Sequence, residues 1–350
     1  MEQKPLEEQK PLLEIKSLSK FFPVKKGFFN RVHRYVRAVD DVSFTINEGE
    51  TVGLVGESGC GKSTVGNCLT RLLEPSGGAA NFYRDSDSAP VDIVKATPKE
   101  LHDIRMNLQM VFQDPYSSLN PRMTARTIIS EPLVIYNRCK GSEISDAVAD
   151  LMKKVGLSPD YMNRYPHAFS GGQRQRISIA KALALNPRLM ICDEAVSSLD
   201  VSVQAQILEL LEELKPEYGM SYLFIAHDLS TVKHISERVV VMYLGKIVET
   251  GGTDELFSNP AHPYTEALLG SVPRLTADKA AKKDILTGEV PDPSNPPPGC
   301  YFHPRCKYAI EECKSWNQSL RSAGSETHLS ACMRCGELKL KGVFDKKSNN

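Results

Sequence analysis

The nine-residue stretch at 56–64, which reads GESGCGKST, constrains this chain more than any other part of its sequence. It fits the pattern of a phosphate-binding loop, in which a glycine and four variable residues precede Gly-Lys-Ser/Thr. Glycines let the backbone wrap with its N–H groups turned inward, and a following helix N-terminus adds positive potential for phosphate. A short apolar run at 50–55 precedes the stretch, and apolar residues at helical spacing follow from Lys62 onwards. This strand–loop–helix context predicts a nucleotide site rather than a glycine-rich turn that matches by chance.

The residue types in this loop predict specific contacts with a nucleotide. Lys62 is expected to reach the β- and γ-phosphates, and Ser63 is expected to ligate Mg²⁺. An aromatic residue ahead of the loop can stack on an adenine ring, so Phe22 is a further candidate, with packing inside a hairpin as the alternative. The loop positions predicted to contact the nucleotide are Gly56, Glu57, Ser58, Gly59, Cys60, Gly61, Lys62, Ser63 and Thr64.

Composition argues against several other classes of protein. The chain has 43 Lys and Arg residues against 43 Asp and Glu residues, so its charge gives no sign of a nucleic-acid partner. The basic and aromatic segment at 21–35 could stack on nucleic acid, but a long hairpin loop is the simpler interpretation. No run of about 18 apolar residues exists, so no membrane span is expected. Residues 1–11 lack an apolar signal core and are expected to form a flexible tail of a non-secreted protein.

Two further motifs, in the second half of the chain, suit phosphate chemistry. At 170–173 the sequence SGGQ opens a helical pattern, which predicts an anion-binding helix N-terminus; an ordinary glycine-rich helix cap is the alternative. At 189–194 an apolar strand pattern ends in two carboxylates, Asp193 and Glu194. An Asp at a strand end can hold Mg²⁺ through water, and the adjacent Glu can polarise an attacking water. Such a pair usually caps a helix, but the phosphate loop favours the catalytic interpretation.

The pattern of secondary structure indicates an α/β fold with inserted helices. Residues 13–17 and 36–46 have the composition of two strands of a hairpin, which predicts an antiparallel β subdomain. Helix formers dominate after residue 124, and residues 143–157 carry apolar side chains at helical spacing. We therefore expect a helical subdomain, at about 115–185, inserted into the α/β core.

The order of these motifs resembles that of the ATP-binding cassette (ABC) ATPases. Between Gly56 and His227 the family's motifs follow one another as GESGCGKST, the glutamine of VFQDP, FSGGQRQR, LMICDE, SSLD and the histidine of FIAHD. The resemblance implies a P-loop NTPase core and ATPase activity. It also implies a head-to-tail pair of cassettes with two ATP molecules at their interface, where the phosphate loop of one subunit meets the SGGQ segment of the other.

The resemblance implies which residues bind the phosphates and the metal ion. Lys62, Ser63 and Thr64 would hold phosphates and Mg²⁺. Asp193 would support the Mg²⁺, and Gln113 would sense the metal ion and the water and couple to the membrane partner.

The resemblance also implies which residues are catalytic. Glu194 would be the catalytic base, and His227 would contact the γ-phosphate and help to hold Glu194 and the water in place. Gln113 is the third residue of this catalytic set. The residues implied at the subunit interface are Ser170, Gly171, Gly172 and Gln173, which would clasp the γ-phosphate of the opposite site, and Asp200, which would communicate across the interface.

The likeness is strongest to one subfamily, the ATP-binding subunits of dipeptide and oligopeptide importers. The segments that carry it are DPYSSLNPRMT at 114–124, RYPHAFSGGQRQRISIAKAL at 164–183, HPYTEALLGSVPRL at 262–275 and LTGEVPDPSNPPPGCYFHPRC at 286–306. The chain resembles the second, dipeptide-type subunit most. This implies a nucleotide-binding domain at 12–258 and an importer-type C-terminal region at 259–350.

A subunit of this kind lies at the cytoplasmic face of the cell membrane as a peripheral protein. The implied partners are two transmembrane permease subunits, a second and non-identical ATPase subunit and, indirectly, an external solute-binding protein. Relatives with nearly the same ATPase carry nickel, haem precursors or cationic peptides, so the cargo stays open. A soluble ABC ATPase acting on ribosomes or DNA is a second hypothesis, which the single cassette without coiled-coil or zinc insertions disfavours.

Five of the nine cysteines lie between residues 300 and 335. Cys300, Cys306, Cys313 and Cys332 can ligate a 4Fe–4S cluster or zinc, with Cys335 as an alternative fourth ligand. Zinc knuckles usually have gaps of about two to four residues, so zinc fits this spacing less well. Unligated thiols are the third possibility. Some peptide-importer ATPases carry a similar set and bind 4Fe–4S, so the resemblance favours the cluster.

Overall fold

A computed structural model describes residues 10–26, 31–84, 89–114, 118–271 and 288–343. The predicted flexible tail at 1–11 lies almost wholly outside these residues. Within them, no helix is both long and apolar enough to cross a membrane. The described residues fall into two compact units. The first takes those of Met1–Leu13, Thr45–Glu50 and Asn81–Ile225, and the second takes those of Glu14–Phe44, Thr51–Ala80 and Ala226–Asn350.

The elements follow one another as the predicted mixture of strands and helices. The strands are β1 (Pro11–Lys26), β2 (Arg31–Asn47), β3 (Thr51–Val55), β4 (Gly77–Phe82), β5 (Val91–Asp92), β6 (Leu108–Val111), β7 (Leu189–Asp193), β8 (Ser221–Ala226), β9 (Arg238–Tyr243), β10 (Lys246–Gly252), β11 (Arg321–Ser322) and β12 (Leu329–Ser330). The α-helices are α1 (Lys62–Leu69), α2 (Pro98–Asn107), α3 (Ala125–Ile135), α4 (Glu143–Lys154), α5 (Gly171–Leu183), α6 (Val201–Tyr218), α7 (Leu229–Ile235), α8 (Thr253–Ser258) and α9 (Pro263–Gly270).

A parallel sheet in the order β6-β7-β8 forms the core of the first unit. In its register Val111 lies beside Cys192, and Asp193 lies beside Ile225. β7 and β8 are buried along their whole length, as expected of parallel strands that read as continuous apolar runs. The structure confirms the apolar strand predicted before Glu194, and the carboxyl end of β7 delivers this residue to the edge of the sheet.

Helices α3, α4 and α5 of the first unit contact one another. Two of them have a sequence reason to begin where they do or to face the core. Thr124 caps α3 by accepting from the N–H of Thr127, and α4 turns Val148, Leu151 and Met152 inward. The structure confirms the amphipathic helix predicted from residue 143. That these helices form an inserted subdomain at about 115–185 stays an interpretation.

A mixed sheet forms the core of the second unit. β3 runs parallel to β9, and β9 is antiparallel to β10. β10 then pairs with β12, where Glu249 lies beside Ser330, and β12 pairs with β11. Residues of the C-terminal region therefore extend the sheet that contains β3, the strand before the phosphate loop. The predicted boundary between residues 258 and 259 stays a prediction.

The predicted hairpin strands are longer than the sequence indicated. β1 and β2 take most of the segment at 21–35 that was expected to be a loop. Val32 and Tyr35 are exposed, so no buried face marks this part of β2 in the hydrophobic pattern. Their β-branched and aromatic side chains nevertheless suit a strand. These strands lie in the order β2-β1-β4. The last two residues of β4 belong to the first unit, where they pair antiparallel with β5, with Asn81 beside Asp92.

Candidate nucleotide site

The phosphate loop joins β3 to α1 in the second unit, as the sequence predicted. Its backbone takes positive φ at Gly56 (155°) and Gly61 (110°). A Cβ at Gly61 would lie 1.9 Å from the carbonyl oxygen of Ala38, and one at Gly56 would lie 2.1 Å from that of Met242. Both separations are far below van der Waals contact. Glycine is therefore required at these positions by the packing of the loop as well as by its backbone conformation.

The side chain of Lys62 turns back towards the first residues of the phosphate loop. Its side chain is buried, and Nζ donates to the carbonyl oxygens of Gly56 at 2.8 Å and Glu57 at 3.0 Å. An ammonium held here is placed to contact phosphates bound by the loop. Ser63 follows in the first turn of α1. The Cys60 thiol is buried inside the loop, and burial raises its pKa, so it is a neutral packing group.

In the first unit, two residues that were predicted to act in catalysis contact each other. Gln113, shortly after β6, donates from Nε2 to Oε2 of Glu194 at 2.7 Å. Glu194 follows β7 with φ of 45°, in the left-handed region that non-glycine residues rarely occupy. Its N–H donates to the carbonyl oxygen of Ile225 at 2.9 Å, which anchors the strained residue to β8. Asp193, the last residue of β7, is buried.

The SGGQ segment opens α5, as predicted. Ser170 is the cap residue: its Oγ accepts from the N–H of Gln173, whose Oε1 accepts from the N–H of Ser170 at 3.0 Å. A Cβ at Gly172 would lie 2.4 Å from Cγ1 of Val203 in α6, whereas Gly171 has more room. The segment thus has a local structural role in this chain. Its predicted contact with a nucleotide of another subunit stays a prediction.

Three more of the predicted residues lie outside the loop and the SGGQ segment. Asp200 is the exposed N-cap residue of α6 in the first unit. His227 follows β8, is exposed, and belongs to the second unit. Phe22 lies in β1 rather than in a loop; it is half-buried, and Nζ of Lys20 lies 5.0 Å from the centre of its ring. Its predicted stacking on adenine stays a prediction.

Two further residues, which no sequence pattern indicated, contact the phosphate loop. Tyr264, in α9, and Arg305, in the 3-10 helix His303–Arg305, both bind Glu57. The sequence separation between Arg305 and Glu57 is 248 residues, so no local pattern could have indicated this contact.

The four cysteines predicted as ligands line one cavity of the second unit. Cys300, Cys306, Cys313 and Cys332 face it together with apolar and aromatic side chains. Burial, with the neighbouring thiols adding to it, raises the pKa of Cys300 to about 11 and that of Cys332 to about 12. Cys335 is not part of the wall: its thiol points to the carbonyl oxygen of Ser322. Of the two cysteines considered as the fourth ligand, only Cys332 lines the cavity.

The described parts of the chain contain no group of three or more His, Cys, Asp or Glu side chains arranged to hold a metal ion. The structure therefore lends no support of its own to the predicted 4Fe–4S cluster or to zinc as a formed centre. It supports only the narrower statement that the four predicted thiols share a cavity.

A phosphate loop of this geometry, between a parallel strand and a helix, defines a P-loop nucleotide-binding protein. The sequence profile of the ABC transporter family matches residues 39–197, and that of the oligopeptide/dipeptide transporter C-terminal region matches residues 248–313. The oligopeptide transport ATP-binding protein AppF of Bacillus subtilis is 50% identical, over 93% of this chain and 97% of its own. The dipeptide transport ATP-binding protein DppF of Escherichia coli is 47% identical, over 93% and 94%. The chain belongs to the ATP-binding proteins of ABC transporters.

Solved structures agree with this assignment. The structure of cbiO1 from Clostridium perfringens, part of the ABC transporter complex cbiONQ, matches with a TM-score of 0.58 and 26% identity, over 71% of this chain and 91% of that one. The ATP-binding cassette MJ0796 bound to ADP and Pi matches with a TM-score of 0.59 and 28% identity, over 69% and 98%. The predicted ABC-type P-loop core and the predicted class of enzyme, an ABC ATPase, are confirmed.

Proposed function

We propose that this chain hydrolyses ATP to energise the import of dipeptides or oligopeptides, as one of two ATPase subunits of an ABC importer. The observation that carries the proposal is the likeness to peptide-transport ATP-binding proteins along almost the whole chain, at 47% to 50% identity. It includes residues 248–313, which match a C-terminal region named for oligopeptide and dipeptide transporters.

In this proposal Glu194 is the general base. Its carboxylate takes a proton from the water that attacks the γ-phosphate, while the hydrogen bond from Gln113 and the left-handed backbone fix its orientation. Lys62 binds the β- and γ-phosphates, and His227 contacts the γ-phosphate. Ser63, Asp193 and Gln113 are the residues that we expect to hold Mg²⁺, which neutralises charge on the transferred phosphoryl group. Phosphoryl transfer depends mainly on positioning and charge stabilisation, and these residues would contribute to both.

The SGGQ segment acts on the nucleotide of a second cassette in this proposal. Ser170 opens a 13-residue helix, whose N-terminal dipole favours an anion such as the γ-phosphate. Asp200 communicates across the same interface. We expect the second cassette to be a homologous, non-identical chain, so that the pair is a heterodimer.

The remaining partners follow from the transport role. Two transmembrane permease subunits would receive the ATPase pair at the cytoplasmic face of the membrane, and an external solute-binding protein would select the cargo. Nickel, haem precursors and cationic peptides are the alternative cargoes. A soluble ABC ATPase without a transporter is the alternative from another class of protein, and no nucleic-acid partner is expected.

Gentle affinity purification of the full-length chain from membranes, with co-purifying proteins identified by mass spectrometry, tests this proposal. We expect two polytopic permeases, a second cassette ATPase and a binding protein whose bound ligand is a peptide. A binding protein loaded with nickel or haem would replace the peptide cargo and keep the importer role. Recovery of ribosomes or DNA without permeases would contradict import altogether.

For the cysteine cavity we propose a 4Fe–4S cluster held by Cys300, Cys306, Cys313 and Cys332. The proposal starts from the cavity that these four thiols share, whose wall does not include Cys335. Four thiolates are the usual ligand set of such a cluster. Binding would require the thiols to ionise and the wall to adjust around the cluster, because the side chains are not arranged as a metal centre in this structure.

Anaerobic purification followed by iron, sulfide and zinc analysis and electron paramagnetic resonance tests the cluster. We expect about four irons and four sulfides per chain in the wild type. Cys332→Ser should lose them, and Cys335→Ser is the matched control that should keep them. Zinc in place of iron, no metal at all, or equal losses in both variants would each overturn the assignment.

A further inference from the structure

Glu57, the first variable residue of the phosphate loop, is held by two side chains of the C-terminal region. Arg305 donates from Nη1 to Oε2 of Glu57 at 2.7 Å and from Nη2 to Oε1 at 3.0 Å. Tyr264 accepts, at Oη, the hydrogen bond of the Glu57 backbone N–H at 2.8 Å. The side chain and the backbone of one loop residue are therefore both fixed from outside the loop. All three residues belong to the second unit.

The pair between Arg305 and Glu57 is of the strong kind. The two terminal guanidinium nitrogens each donate to one carboxylate oxygen, and only 4% of the Arg305 side chain and 25% of the Glu57 side chain are exposed. A bidentate, charge-assisted pair shielded from water sets a fixed geometry that an exposed ion pair does not. The hydrogen bond with Glu57 raises the pKa of Arg305, so its charge is constant over the physiological range.

Tyr264 is held in place by aromatic packing and by a hydrogen bond from its backbone. Its ring is fully buried, with centroids 4.6 Å from Tyr243 and 5.4 Å from Phe302. His262 caps α9 by accepting from the N–H of Tyr264 at 3.1 Å. Burial lowers the pKa of His262 to about 3, so its ring stays neutral and Nδ1 keeps its lone pair as an acceptor. The Tyr264 hydroxyl that contacts the phosphate loop therefore belongs to a ring packed among aromatic side chains, at the start of a capped helix.

Fixing Glu57 also fixes Lys62. The carbonyl oxygen of Glu57 accepts from Nζ of Lys62, so one residue joins the C-terminal contacts to the lysine that binds phosphate. The ion pair between Arg305 and Glu57 also changes the charge that the loop presents to a nucleotide. An unpaired carboxylate at Glu57 would repel the phosphates, and the adjacent guanidinium offsets its charge.

We propose that Arg305 and Tyr264 are positioning residues for nucleotide binding, which act through Glu57 on the phosphate loop and Lys62. The C-terminal region then sets the ATP affinity of its own chain. The inference rests on the proposed nucleotide site, because it concerns how tightly that site binds.

The test measures the dissociation constant of ATP on the purified full-length chain, and KM and kcat for ATP on the assembled transporter. The variants are Arg305→Ala, Arg305→Lys, Tyr264→Phe and Glu57→Gln. Arg321→Ala is the matched control, since Arg321 stacks on Trp316 in the same region without contacting the loop. Because Arg305 and Tyr264 act through Glu57 in this proposal, we expect Arg305→Ala to weaken ATP binding by about tenfold, and Tyr264→Phe by about threefold. KM should rise by similar factors with a smaller change in kcat, and the control should match the wild type.

A double-mutant comparison distinguishes positioning of the phosphate loop from a general loss of stability. The effect of Glu57→Gln should shrink in the Arg305→Ala background, because both changes break the same pair. Arg305→Lys and Tyr264→Phe decide the matter if Arg305→Ala does not fold. Wild-type ATP affinity in these two variants would overturn the inference and leave the nucleotide site intact. Absence of ATP binding in the wild-type chain would instead contradict the proposed function.

Discussion

The phosphate loop and the cysteine cavity belong to the same unit, but they are assembled in opposite ways. The loop is one continuous stretch at 56–64, and its shape follows from glycines and from the helix that it begins. The cavity draws its wall from residues scattered between 262 and 338. A site made of consecutive residues carries its geometry in the sequence. A site made of distant residues depends on packing that the sequence does not display.

Residues next to the cavity wall nevertheless contact the loop. Arg305 precedes Cys306 of the cavity wall and binds Glu57 of the loop. Contacts within the loop therefore join neighbouring residues, whereas the contacts with Glu57 come from residues far along the chain. Substitutions inside the loop and substitutions in the C-terminal region should accordingly differ in size and in kind.

The largest effect is expected inside the loop. Lys62→Ala removes the ammonium that we propose as a ligand of the phosphates, so we expect ATP turnover to fall by about 100-fold or more. Lys99→Ala, on the exposed face of α2, is the control and should turn over ATP like the wild type. Steady-state phosphate release from the assembled transporter measures both. Retained turnover in Lys62→Ala would mean that the loop does not bind the nucleotide as the motif indicates.

A second substitution separates the two glycine requirements of the loop. Gly61→Ala would place a Cβ 1.9 Å from a backbone oxygen, whereas Gly59→Ala meets nothing within 4 Å and must tolerate only its φ of 79°. We expect Gly59→Ala to lower the free energy of unfolding by about 1 kcal/mol. Gly61→Ala should cost about 2–3 kcal/mol because the backbone must also move. Urea unfolding of both variants measures the difference, and equal losses would contradict the close approach to Ala38.

The smallest effect is expected in the C-terminal region, at His328. Nε2 lies 2.8 Å from Glu249 and Nδ1 lies 3.6 Å from Glu255. Burial alone lowers the pKa of His328, but the hydrogen bonds and charges of the two carboxylates outweigh it, so the pKa is raised above 6.5. A raised folded-state pKa stabilises the fold fully below about pH 6.5, and this contribution is lost as the pH rises through the folded value.

His328→Gln removes the titrating ring and should flatten that part of the stability profile. Urea unfolding between about pH 5.5 and 8.5 gives the stability profile. This pH range includes the unperturbed histidine pKa of about 6.5. Glu255→Gln removes only the longer of the two contacts and should reduce the slope in part. A wild-type profile that rises with pH over this range would contradict the direction of the shift.

What could be predicted from the sequence follows the same division. The loop, the strand before Glu194 and the helix from residue 143 were predictable because each has its own hydrophobic spacing or glycine pattern. The lengths of β1 and β2 were not, since their outer parts are exposed and show no buried face. The sequence likewise left Cys332 and Cys335 as alternatives, because only the folded chain shows which thiol turns to the cavity.

The contact between Gln113 and Glu194 was only partly predictable. Both follow apolar strand patterns, and the resemblance implied a catalytic role for each. That they form a hydrogen bond, and that Glu194 takes a left-handed backbone, depends on the register between β6, β7 and β8. Strand register is set by tertiary pairing and cannot be read from either segment alone.

The most direct test of the account is the uptake of labelled dipeptides and oligopeptides by cells in which this chain carries Glu194→Gln. Glu209→Gln, an exposed position on α6, is the control, with protein amounts matched by immunoblot. The account predicts that Glu194→Gln abolishes ATP-driven uptake while Glu209→Gln leaves it at the wild-type rate. Peptide uptake at the wild-type rate in the Glu194→Gln cells would contradict it.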